Sequence, residues 1–98
     1  MFTKILTIDD SFFQRKYLRK CLGQYFSILE AATGADGIEI LNKEKPDLVI
    51  VDNILNNESG YDICRKIRSD PQNTYLPVIM VSGMDKPADI KLGFESGI

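Results

Sequence analysis

The run "DLVIV" at residues 47–51 limits the possible folds more than any other stretch of the chain. Its apolar residues are consecutive, and Val49, Ile50 and Val51 are all β-branched. A strand of this kind has no polar face, so other layers must cover both of its sides. Three more runs read as strands: "KILTI" at 4–8, "FSILEA" at 26–31 and "LPVIMVS" at 76–82. Helical spacing follows each one. Ser11 can cap a helix over 12–24, with Phe13, Tyr17, Leu18, Cys21 and Leu22 on one side and Arg15, Lys16, Arg19 and Lys20 mostly opposite. "TGADG" opens a second helix, with Ile38 and Leu41 inward and Pro46 beyond its end. "SGYDICRKIRS" at 59–69 gives a third helix, with Ile63, Cys64 and Ile67 inward, and "KPADIKLGFESG" at 86–97 starts a fourth. Strands alternating with helices predict an α/β domain, a doubly wound parallel sheet with helices on both faces.

The totals close off other classes. Ninety-eight residues make one domain at most, and 44% hydrophobic content suits a packed core. A net charge of −2 offers no basic field for direct nucleic-acid binding. No run is long and apolar enough to span a membrane, and "MFTKILTIDD" is too short and too acidic for a signal peptide. Cys21 and Cys64 have no CxxC spacing and read as reduced core thiols of a cytoplasmic protein. The chain has no histidine, which excludes a histidine-ligated metal and a Ser-His-Asp triad.

In open parallel sheets, ligands bind beyond the carboxyl ends of the strands. Here the first strand ends in Asp9-Asp10, the third in Asp52 and the fourth in Ser82. An aspartate after a strand is commonly a turn or cap residue, so no single position carries a function. Gathered at one rim, the set is different. Three close carboxylates repel one another unless a cation joins them. Oxygen-only donors suit a hard ion, Mg²⁺ or Mn²⁺. Such a site fits phosphoryl transfer with a carboxylate nucleophile, and Ser82 could donate to a phosphoryl oxygen.

Several separated motifs then fall into register. "ILTIDDS", "PDLVIVDNILNNESGYDICRKIR" with Gly60 eight residues after Asp52, "LPVIMVSG" and "GFESGI" together resemble the receiver domain of two-component response regulators. The resemblance implies a CheY-like, flavodoxin-like sheet, with strand order 2-1-3-4 in this chain. It implies that Asp52 takes phosphate from a sensor histidine kinase or phosphotransfer protein. Asp10 would ligate Mg²⁺ (or Mn²⁺) directly, Asp9 directly or through water, and Asp52 and the backbone carbonyl of Ile54 would complete the protein ligands. Ser82 would contact the phosphoryl group and switch, and an output domain or partner protein would read the result. Such domains catalyse only their own phosphorylation and dephosphorylation.

The chain departs from the family pattern in places. Asn56 stands where proline is usual, Ser82 replaces the commoner threonine, and the asparagines at 53, 56 and 57 read as turn formers. Met84, two residues past Ser82, is a candidate for lining the site. The chain ends at Ile98, before the family's lysine and its fifth strand and helix. The expectation is a receiver domain over 1–98, truncated at its C-terminus, weak in phosphorylation and prone to dimerise or swap through the bare edge at 76–82. The alternative is a phosphorylation-independent pseudo-receiver that serves as an interaction module. A Mg²⁺-dependent phosphatase of another α/β family fits less well, because Ile54 stands where such enzymes often carry a second aspartate. The basic stripe on the first helix reads as a solvated face.

Overall fold

A computed structural model of the chain describes residues 3–55 and 58–81. Strand β1 spans Lys4–Ile8, helix α1 Phe12–Leu22, β2 Ser27–Ala31, α2 Gly34–Glu44 and β3 Leu48–Asp52. Two short strands follow, β4 at Ile54–Leu55 and β5 at Glu58–Ser59, then α3 at Gly60–Arg68, a 3₁₀ turn at Pro71–Asn73 and β6 at Val78–Val81. The main sheet is parallel, in the order β2-β1-β3-β6. This is the flavodoxin-like order that the family resemblance implies, with β6 as its fourth strand. The order reverses direction after β1, which places a switch point between β1 and β3. The fourth helix expected over 86–97 lies outside the described residues.

The consecutive apolar run of β3 is buried on both sides. Val49 and Val51 join Leu6 and Ile8 in a large cluster completed by Leu41 of α2 and by Ile63, Cys64 and Ile67 of α3. On the opposite face Ile50 joins Ile5 and Ile28, with Leu18 and Leu22 of α1 packed against them. The inward faces expected for α2 and α3 are therefore found.

Helix α1 differs from its expected pattern. It contains no buried residue. Leu18 and Leu22 pack on the sheet, but Phe13 is 81% and Tyr17 67% exposed, and Cys21 is an exposed free thiol. The helix touches the sheet through a narrow stripe near its C-terminal end, so the apolar residues of its first turns do not reach the core. Of the thiols expected in the core, only Cys64 is there. The basic stripe is also not simply solvated. Arg15 Nε and Arg19 Nε donate to the two carboxylate oxygens of Glu30 on β2, at 3.3 and 2.7 Å. Arg19 also donates to the Ile28 carbonyl at 3.1 Å. These bonds fasten the exposed helix to β2 with the polar contacts that its apolar side does not provide.

Candidate metal centre

The carboxyl end of the sheet places Asp9, Asp10 and Asp52 together. Asp9 follows β1 directly and Asp52 is the last residue of β3, and these strands are paired neighbours with Ile8 opposite Val51. The run expected to stop at Val51 thus extends through Asp52, which pairs with Val81 of β6. One carboxylate oxygen from each of the three aspartates lies within 4.8 Å of the other two. Of the candidate residues named from the sequence, these three are brought together. Ile54 is close in the chain, in β4, where it pairs antiparallel with Ser59. Ser82 and Met84 lie outside the described residues, as do Asn56 and Asn57.

Asp9 is the deepest of the three, at 5% exposure. Its N–H donates to the Ala31 carbonyl at 2.9 Å, and its Oδ1 accepts the Ser11 N–H at 2.8 Å. Ser11 Oγ in turn accepts the Gln14 N–H and caps α1. Burial is the main force raising the Asp9 carboxyl above its usual 3.8, and the charge of Asp10 adds to it. The Ser11 N–H and the Arg15 guanidinium pull the other way. Arg15 also donates to the Asp9 backbone carbonyl. Periodicity places Arg15 on the solvent side of α1, so this contact had no sequence signal.

A buried carboxylate whose pKa is raised, with two other carboxylates within 4.8 Å, suits a site completed by a cation. It also has a sign in stability. The folded state holds the Asp9 proton to higher pH than the unfolded chain does. Stability is therefore greatest below the unfolded value of 3.8, falls as pH rises through the raised folded value, and is flat above it. Asp9→Asn removes the charge but keeps an oxygen to accept the Ser11 N–H. Without divalent cations, this variant should melt about 5 °C higher than the parent at neutral pH. Calorimetry in a chelator checks it, and the gap should shrink at acid pH.

A cleft of about 420 Å³ runs from Asp9 and Asp52 along α1, walled also by Phe13, Tyr17, Ile50 and Val81 among others. Asn53, whose sequence context reads as a turn, is buried. Its N–H donates to the Val81 carbonyl at 3.3 Å and its carbonyl accepts the Gly60 N–H at 2.8 Å.

A parallel sheet of this order, with an acidic rim at its switch point, defines a doubly wound α/β domain of the flavodoxin-like class. The family model for the response regulator receiver domain matches residues 5–98. The chain belongs to that family, the receiver domains of two-component signalling. It is similar to a probable cyclic di-GMP phosphodiesterase of Vibrio cholerae, with 37% identity over 93 residues that make up 95% of this chain and 21% of that protein. The chain thus spans about a fifth of that relative's length. Its fold is similar to that of the Vibrio cholerae chemotaxis protein CheY4, with a TM-score of 0.94 at 22% identity, over 99% of this chain and 82% of that one. It is also similar to the BeF3-activated DrrB receiver domain, with a TM-score of 0.83 at 30% identity, over 99% of this chain and 80% of that one. No described helix is long and apolar enough to cross a membrane.

Proposed function

We propose that Asp52 is the phosphoacceptor of this receiver domain and that Asp9, Asp10 and Asp52, with the Ile54 backbone carbonyl, hold Mg²⁺ or Mn²⁺ beside it. The carrying observation is the convergence of three carboxylates from two adjoining strand ends within 4.8 Å. The phosphodonor is a phosphohistidine on a sensor kinase or phosphotransfer protein. An Asp52 carboxylate oxygen attacks the phosphorus, the P–N bond breaks, and the imidazole leaves with a proton. The product is an acyl phosphate, which water later hydrolyses back to the carboxylate. The cation, when bound, supplies positive charge against the phosphoryl oxygens. Asp9 is held by the Ser11 N–H and the Ala31 carbonyl, so the acidic group is fixed before any ligand arrives. Ser82 contacts the phosphoryl group and passes its arrival to an output domain or partner protein. The activated DrrB domain, whose name records BeF3, is a precedent from a similar chain. A kinase that draws its phosphate from ATP works in the cytoplasm, and this reading puts the domain there with it. No observation favours the phosphate-independent alternative.

The test is incubation with acetyl phosphate and Mg²⁺. A phosphoryl group that is removed by hydroxylamine and maps to the peptide carrying Asp52 is expected. A modification elsewhere, or none in the presence of Mg²⁺, refutes the proposal.

The same reading includes contact between copies. Among the described residues β6 forms one edge of the sheet, with Ile79 49% and Val81 48% exposed, and Phe13 and Tyr17 stand out nearby on the wall of the cleft. An apolar, β-branched edge is a template for strand pairing. The chain should sediment as a concentration-dependent dimer, and a monomer at high protein concentration refutes this.

A further inference from the structure

One acidic side chain near the rim belongs to none of the roles above. Glu58 lies in β5, and its Oε1 accepts the N–H of Gly34, the first residue of α2, at 2.8 Å. The contact is close on both sides. A Cβ at Gly34 would sit 2.4 Å from the other Glu58 oxygen and 2.8 Å from Ile63 Cγ1, so only glycine leaves room for the carboxylate. Gly34 N–H is one of the first-turn donors of α2 that no residue within the helix can accept.

This bond links two parts of the site that are separate in sequence. On one side, β5 pairs with β4, Ser59 opposite Ile54 and Glu58 opposite Leu55, and Leu55 is buried in the main core. On the other, the segment leading into α2 already holds the acidic group, because the Ala31 carbonyl accepts the Asp9 N–H at 2.9 Å. Glu58 therefore ties the strand pair containing Ile54 to the same segment that fixes Asp9.

We propose that Glu58 is a positioning residue that sets the Ile54 backbone relative to Asp9, Asp10 and Asp52 and thereby tunes the affinity for a divalent cation. This inference rests on the metal reading of the site given above. Glu58 acts as a hydrogen-bond acceptor of fixed reach, not as a source of negative charge. The variants separate these possibilities. Glu58→Gln keeps an oxygen at the same distance without the charge. Glu58→Asp keeps the charge but is one methylene too short to reach Gly34 from a paired β5. Glu58→Ala removes both.

Mg²⁺ titration of the natively folded variants, followed by calorimetry, is the readout, alongside Asp10→Asn and thermal melts in a chelator. Glu58→Ala and Glu58→Asp are each expected to weaken Mg²⁺ binding about tenfold, the usual scale for a residue behind a metal ligand, while Glu58→Gln stays within about twofold of the parent. Asp10→Asn is expected to lose binding. If Glu58→Ala lowers the melting temperature but binds Mg²⁺ as the parent does, Glu58 is only a helix cap and the inference fails. It also fails if Glu58→Gln loses affinity and Glu58→Asp retains it, since charge and not reach would then govern. If Asp10→Asn binds as the parent does, the metal site itself is wrong and this inference falls with it. If Asp10→Asn loses binding while both Glu58→Ala and Glu58→Asp keep it, only this inference is overturned.

Discussion

Asp52→Asn is expected to abolish phosphorylation by acetyl phosphate, with a rate loss on the order of 10³-fold or more, as removal of a covalent nucleophile produces. The amide nitrogen of asparagine is conjugated with its carbonyl and is not a nucleophile for phosphorus. Asparagine is nearly isosteric, and the strand pairing of Asp52 with Val81 is made by the backbone, so the fold should persist. The substitution also acts on the cation. It removes one of three carboxylates within 4.8 Å, and Mg²⁺ affinity should fall at least about tenfold, or about 1.4 kcal/mol. The sign on stability reverses with conditions. In a chelator the variant should melt above the parent, because a like charge has left the cluster. In saturating Mg²⁺ the parent should gain more from the ligand. Mass spectrometry with acetyl phosphate and paired melts check these effects. A variant that bound Mg²⁺ as tightly as the parent would place the metal elsewhere.

The legibility of this site in the sequence has a physical basis. Strand ends are marked where an apolar run meets a charge, and a parallel sheet brings the carboxyl ends of all its strands to one rim. Asp9, Asp10 and Asp52 could therefore be grouped before any coordinates. The paired order β2-β1-β3-β6 needed the family resemblance, because periodicity does not say which strands are neighbours. On α1 the helical stripe gives a direction but not a depth: Leu18 and Leu22 reach the sheet, while Phe13 and Tyr17 line an open cleft instead of entering the core. Strands β4 and β5 are two residues each, too short to show any alternation. The sequence marks Arg15 only as part of a solvated stripe and gives no signal for Glu58, for a related reason. Each acts through a bond to a backbone group brought close only by the tertiary fold, the Asp9 carbonyl and the Gly34 N–H.

Gly60 gives the second large effect. It opens α3 directly beneath the end of β3, with Ser59 as the cap accepting the Tyr61 N–H at 3.2 Å. Its N–H donates to the Asn53 carbonyl at 2.8 Å. A Cβ at this position would lie 2.2 Å from the Asp52 carbonyl oxygen and 2.7 Å from the Asn53 Cα. Both are backbone atoms, and β3 is held by pairing with β1 on one side and β6 on the other. Neither atom can rotate away, so Gly60→Ala must shift the start of α3 or the end of β3. Shifting α3 disturbs Ile63, Cys64 and Ile67, all essentially inaccessible to solvent. Shifting β3 moves Asp52. The expected cost is about 3 kcal/mol, the upper part of the range for overpacking. That lowers the melting temperature by about 12–24 °C in a chain of this size. Helix propensity alone argues for the opposite sign, since alanine in a helix is favoured over glycine by about 1 kcal/mol. The direction of the change therefore decides between the two. A Gly60→Ala variant that melts at or above the parent would mean that α3 does not approach Asp52 this closely, and the backbone support assigned to the phosphoacceptor would be lost.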